Sequence, residues 1–138
     1  MPVVLHGHPG PGRKVKAVAL VASDNFSARY DLDRNRGIFA RPSHKLAGQS
    51  YVDRILVLDG AKGGVATAWM LHDMKARGIV PRGLIFNRVN PIIAQGAAFA
   101  GVALVDRFAD DVTRLFRTGD NLRVDPAAGT VEILNREA

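Results

Sequence analysis

The segment Asp59-Gly60-Ala61-Lys62-Gly63-Gly64-Val65-Ala66-Thr67 gathers what a small-anion site needs. Glycines let the backbone approach a ligand closely, and the free N–H groups of a first helical turn favour negative charge. Lys62 adds a full positive charge beside them. The combination suits a carboxylate or a phosphate. It is not a P-loop, because no Gly-Lys-Ser/Thr ending follows, and it lacks the spacing of a dinucleotide fingerprint. The same residues also suit a tight strand-to-helix turn in which glycine serves backbone geometry alone. Thr67 lies in the first turn after the glycines, where its hydroxyl could meet a substrate or cap the helix start.

A second candidate is His44, within the polar loop Ser43-His44-Lys45-Leu46-Ala47-Gly48-Gln49-Ser50 that precedes a strongly apolar run. Its ring either faces the site or fixes backbone carbonyls. His6 and His8 are two residues apart in the N-terminal loop and have no carboxylate or third histidine close by, so they read as incidental. His72 falls between core positions of a helix. The serines, Ser23, Ser27, Ser43 and Ser50, are not set in a nucleophile elbow. Asn90-Pro91 has the form of an N-cap followed by proline in the first turn. The chain contains no cysteine, which excludes a thiol nucleophile and any thiolate-held zinc or iron–sulfur cluster in this chain. No metal site is expected here.

Four apolar runs, at 14–23, 54–58, 83–86 and 102–105, read as buried strands. Residues 65–77 and 91–100 read as helices, with Lys75, Arg77, Gly78 and Pro81 ending the first. A short helix is expected at 110–116. Residues 27–33 suggest a short strand with Tyr30 and Leu32 on one face, followed by a turn at 33–37 and an extended piece at 38–39. Residues 7–12 read as loop. The runs 122–124 and 130–134 flank Asp125-Pro126-Ala127-Ala128-Gly129 as a closing hairpin. Two β–α–β crossovers with strands at both ends give an α/β class: a central parallel or mixed sheet, flanking helices and a small β-barrel-like layer from the termini. At 138 residues a single domain covering 1–138 is expected.

The composition is that of a globular protein, 47% hydrophobic and 23% charged. The net charge of +6 is spread along the chain without runs or interleaved aromatics. That argues against nucleic acid and fits a small anionic substrate or an acidic partner. No apolar run reaches membrane-spanning length and the N-terminus lacks a signal-peptide core, so a cytoplasmic location without membrane contact is expected.

Between Ser23 and Val105 the chain resembles the small subunit, or swivelling domain, of the aconitase X family. His44-Lys45-Leu46-Ala47-Gly48-Gln49-Ser50 stands where that family typically reads His-Pro-Leu-x-Gly-Gln-Ser. Gly60-Ala61-Lys62-Gly63 stands where it has a Gly-x-Arg/Lys-Gly-Ser turn, and Asn90-Pro91-Ile92-Ile93-Ala94-Gln95-Gly96-Ala97 is similar to its Asp-Pro-Ile-Ile-x-x-Gly-Ala segment. The resemblance implies a swivelling β/β/α fold docked on a large aconitase-like catalytic subunit. It implies a hydro-lyase acting on a small hydroxy acid, such as cis-3-hydroxy-L-proline in bacteria or phosphomevalonate in archaea. The iron–sulfur cluster or metal would sit in the partner, with no cofactor in this chain. It also implies a serine base in the glycine-rich turn, and that serine falls on Gly64, which has no side chain to accept a proton. The family proline is Lys45 here and the family aspartate is Asn90.

The implied site is then Lys62, Gly63 and Gly64 holding a substrate carboxylate, His44 and Ser50 lining or bracing the pocket, and Thr67 as candidate for proton transfer. A hydroxyl there would need Lys62 or the helix N-terminus to stabilise its alkoxide. Two other readings stand beside it. One is a binding or regulatory protein that kept the fold and lost the base. The other is a phosphotransfer swivelling domain, which needs a histidine just after the glycines, where residues 65–68 have none.

Overall fold

The computed structural model describes residues 3–27, 31–61 and 65–135. Strand β1 spans Val3–His6, β2 Val15–Phe26, β3 Leu32–Asp33, β4 Ile38–Phe39 and β5 Ile55–Ala61. Helix α1 (Val65–Arg77), β6 (Gly83–Arg88), α2 (Pro91–Ala100), β7 (Ala103–Val105) and α3 (Val112–Leu115) follow, and β8 (Asn121–Asp125) and β9 (Thr130–Asn135) close the chain. The long strands join one mixed sheet in the order β1-β9-β8-β2-β5-β6-β7, and β3-β4 form a small second ribbon.

The mixed order follows from β2. Its first residues pair antiparallel with β8, from Val15 opposite Val124 to Val18 opposite Asn121. From Ala19 onward it pairs parallel with β5, from Ala19 opposite Ile55 to Phe26 opposite Ala61. β5, β6 and β7 continue in parallel. The layer expected from the termini is formed by β1, β9 and β8 and joins the central sheet through the shared strand β2.

The central strands read as unbroken apolar runs because both faces are covered. Leu20, Leu56, Leu58, Leu84, Phe86 and Leu104 face a core that includes Leu71 and Met74 of α1 and Ala97 and Ala100 of α2. Their neighbours Ala19, Ile55, Val57, Ile85, Ala103 and Val105 face a second core with Phe116, Leu122, Val124 and Val131. The antiparallel ribbon and α3 thus cover one face of the parallel strands, and α1 and α2 cover the other. Each large side chain fully buried this way contributes about 1.5–3 kcal/mol.

The sheet also curls towards closure. The His8 N–H donates to the Asp106 carbonyl at 2.8 Å and the Leu104 N–H to the Pro11 carbonyl at 3.0 Å. The loop after β1 thereby lies along the free edge of β7 and protects it from pairing with another chain. Close approach explains its glycines: a Cβ on Gly10 would fall 2.0 Å from the Leu104 carbonyl oxygen.

Several expectations need adjustment. β5 runs through Asp59, Gly60 and Ala61 because Gly60 keeps pairing with Arg88 and with Asn25. Likewise β2 runs on to Phe26, past the turn expected at Asp24-Asn25. α3 begins only at Val112, since Asp111 caps it by accepting from the Thr113 N–H. Of the strand expected at 27–33, Leu32–Asp33 is extended, and Tyr30 lies outside the described residues.

Gly12 has φ +98°, and a Cβ there would lie 2.4 Å from the Ala103 Cα, whereas Gly101, at φ +70°, faces open space. Gly12→Ala is expected to cost roughly 3 kcal/mol and Gly101→Ala about 1 kcal/mol in urea unfolding. Equal losses would contradict the docking of this loop on β7.

Candidate functional site

Parallel α/β sheets bind ligands beyond the carboxyl ends of their strands, and here β2, β5 and β6 end side by side. Asn25, Gly60 and Arg88 lie abreast on the three strands. Gly60 is extended strand, without the positive φ that seven other described glycines adopt. A Cβ there would make contacts of 3.4 Å to the Arg88 carbonyl and 3.6 Å to Asn25 Oδ1. Neither packing nor a left-handed backbone demands glycine at this position. Lys62, Gly63 and Gly64 lie outside the described residues.

Both helices begin at this end of the sheet. Val65 opens α1, and Thr67, 2% exposed, turns inward with Leu71 and Met74. The start of α2 is fixed by Asn90, whose Oδ1 accepts from the Ile93 N–H at 2.9 Å, with Pro91 in the first turn. This cap serves the same end as the family aspartate would, without its charge.

His44 is brought to the same end of the sheet. Its buried ring lies on Phe39, with centroids 4.6 Å apart. Nε2 donates to the Asn25 carbonyl at 2.7 Å and Nδ1 accepts from the Leu46 N–H at 3.0 Å. The tautomer with its proton on Nε2 satisfies both bonds. The ring ties its own loop to the last residues of β2, beside Gly60, so its position is that of a brace. Ser50 is placed elsewhere. It bridges Ile38 of β4, its Oγ accepts from the Val52 N–H, and it precedes the amino end of β5.

Charged groups around His44 had no signal in the local sequence. Arg41 Nε donates to Asp31 Oδ1 at 2.6 Å and Arg41 NH1 to Ser43 Oγ at 2.6 Å. Asp24 accepts from the backbone N–H groups of Asn25 and Lys45. Asp24 and Asp31 each place an oxygen within 4 Å of His44 Nε2, at 3.8 and 3.9 Å. Three segments, at 24–25, 31 and 41–46, are thereby locked together. Their residues are far apart in sequence, and only the polar character of each was visible beforehand.

A second polar knot lies across β5 and β6. Asn87 Nδ2 donates to Asp59 Oδ1 at 2.9 Å and to Asp111 Oδ1 at 3.0 Å, while Asn87 Oδ1 accepts from the Val112 N–H. The knot borders a crevice of about 710 Å³ lined in part by Arg88, Arg107 and Asp110. Asn87 lowers the pKa of Asp111 from its ordinary value, helped by Thr113. Tyr51 is fully buried, its hydroxyl has no partner among the described residues, and burial pushes its pKa up to about 12.

Among the described residues no three His, Asp or Glu side chains come together as metal ligands, and the chain has no cysteine. The donor set of the described residues does not fit a resident iron–sulfur cluster.

Burial acts most strongly on Asp24 and works to raise its pKa. The N–H groups of Asn25 and Lys45 outweigh it, with His44 and Arg41 adding, so the pKa lies below its ordinary 3.8. A carboxyl with a lowered folded-state pKa contributes stability above its unfolded value and loses it as pH falls through the folded value. Asp24→Asn is therefore expected to lower the melting temperature at pH 7. The gap from the parent should narrow as pH is taken below the ordinary 3.8. A gap independent of pH would contradict the ionised role of Asp24. Tyr51→Phe removes an unpartnered buried hydroxyl and is expected to leave stability unchanged or raise it by about 1 kcal/mol in the same melts.

The family model of the aconitase X swivel domain matches residues 4–133. The phosphomevalonate dehydratase small subunit of Methanococcoides burtonii is 31% identical over 117 residues, covering 85% of each chain. That of Methanopyrus kandleri is 32% identical over 119 residues, covering 86% of this chain and 87% of the relative. Among solved structures, Thermococcus kodakaraensis aconitase X in its holo-form superposes with a TM-score of 0.89 at 27% identity, covering 96% of this chain and 99% of that one. A UPF0107 protein solved by solution NMR superposes at 0.87 and 28% identity, covering 96% of this chain and all of the other. The mixed sheet and the crossover helices are thus those of a known architecture, and the chain belongs to the aconitase X swivel-domain family.

Proposed function

We propose that this chain is the small subunit of a two-subunit hydro-lyase that removes water from a small hydroxy acid, working in the cytoplasm. The observation that carries the reading is the family match across residues 4–133, together with relatives of nearly full length named as dehydratase small subunits. Those names favour phosphomevalonate as substrate over cis-3-hydroxy-L-proline. Among the described residues no helix is long and apolar enough to cross a membrane.

In this reading Lys62, Gly63 and Gly64 bind the anionic end of the substrate at the start of α1. His44 braces the end of β2, and Ser50 steadies the far end of the same loop. Gly64 offers no hydroxyl where the family serine would act. Thr67 is the nearest hydroxyl in sequence, but its burial with Leu71 and Met74 suits packing of the helix start better than proton transfer. Proton abstraction therefore falls to the large subunit, which also supplies the iron–sulfur cluster or metal. The small subunit's work is to hold the anion, orient it and exclude water.

The test is co-purification with the aconitase-like large subunit of the same organism, followed by a dehydration assay on phosphomevalonate and on cis-3-hydroxy-L-proline. Turnover of phosphomevalonate is expected. Lys62→Ala should raise KM by roughly 10–100-fold, the range for losing a charge-assisted hydrogen bond, while Thr67→Val should leave kcat within a few-fold. A complex that forms but turns over neither compound would favour the regulatory reading, the more so if Gly64→Ser then produced activity.

A further inference from the structure

Helix α2, Pro-Ile-Ile-Ala-Gln-Gly-Ala-Ala-Phe-Ala, carries no charged residue. A helix that is apolar all round belongs in an interior, yet only part of α2 is covered. Ile93, Gly96, Ala97 and Ala100 are buried, while Ile92 is 43% and Phe99 80% exposed. The neighbouring helix repeats the pattern: Val65 is 62% and Trp69 66% exposed. The two helices touch where Gly96 meets Ala68; a Cβ on Gly96 would lie 2.6 Å from that of Ala68. This close approach leaves a groove of about 240 Å³ whose polar lining is limited to His72 and Gln95.

We infer that this groove is the docking surface for the large catalytic subunit, whose matching face is apolar and uncharged. The inference rests on the two-subunit reading above. Position argues for this occupant. Val65 and Ile92 stand at the starts of α1 and α2, so the groove opens at the carboxyl end of the sheet. A partner that completes the site there meets the open end of the groove and can extend along α2 to Phe99. Area argues the same way. At about 150–250 Å² per aromatic side chain, Trp69 and Phe99 leave roughly 300 Å² uncovered. A stable interface needs about 800 Å² from each partner. Two copies meeting through these side chains alone fall short of that, whereas a partner that also covers the site end adds area there.

The experiment titrates the tagged chain against the large subunit of the same organism by calorimetry, comparing the parent with Trp69→Glu/Phe99→Lys. Both side chains are exposed, and an unchanged circular dichroism spectrum and melting temperature confirm folding. Val4→Lys, on the exposed edge strand β1, is the control. The double variant should bind roughly 100-fold more weakly or worse, as for loss of aromatic hot spots, and the control should bind like the parent. If the parent binds and the double variant binds equally well, the groove assignment is overturned while the two-subunit reading stands. If the parent does not bind the large subunit at all, both fail. Sedimentation of the parent alone as a dimer that the double variant abolishes would make the occupant a second copy and would also overturn the inference.

Discussion

The structure depends on one strand that serves two ladders. β2 pairs antiparallel with β8 through Val15–Val18 and parallel with β5 through Ala19–Phe26. A purely parallel sheet would leave the face carrying Ile55, Val57, Ile85 and Val105 open to water. Because β2 belongs to both halves, the ribbon of β1, β9 and β8 folds back onto that face. The result is a core on each side of the parallel strands, which is what permits their unbroken apolar sequences. The loop along β7 then protects the last free edge of the parallel part.

The far end of the same strand organises the site. Asp24 and Asn25 lie where β2 runs out beside Gly60, and they collect His44, Lys45 and Arg41 from the following loop. Charged groups are used here to position backbone. Asp31, 4% exposed, needs the Arg41 guanidinium, because an unpaired buried carboxylate is costly. His44 spends both ring nitrogens on loop and strand. Across the sheet Asn87 does the equivalent work, drawing Asp59 and Asp111 together beside the start of α3. In the function proposed above, the chemistry left to this chain is anion binding, which suits a domain whose partner supplies the reactive centre.

Local physics made much of this legible. Residues 65–77 and 91–100 coincide with α1 and α2 because one end of each helix is written in short-range terms: Asn90-Pro91 before α2 and Lys75, Arg77 and Gly78 at the end of α1. Runs such as Ile55–Leu58 could only be strands covered on both faces. What stayed hidden depends on partners distant in the chain. β1 is four residues with three of them exposed, and only pairing with β9 makes it a strand. Asp59 and Gly60 carry a turn signature, yet the neighbouring strands hold them extended. The ion pairs of Asp24, Asp31 and Arg41 span up to 17 residues, and no periodicity announces them. Family membership was legible through resemblance in three short segments rather than through composition, and the exposed apolar face of α2 became meaningful only once its buried face was known.

The central claim is that this chain shares one site with a large subunit at the carboxyl ends of β2, β5 and β6. Hydrogen–deuterium exchange on the chain alone, with the large subunit, and with the large subunit plus phosphomevalonate tests it most directly. The account predicts that amides of 60–67 and 92–96 gain protection with the partner, and that those of 60–67 gain more with substrate. Protection confined to β1 and the 126–129 turn, or a substrate effect absent from 60–67, would contradict it.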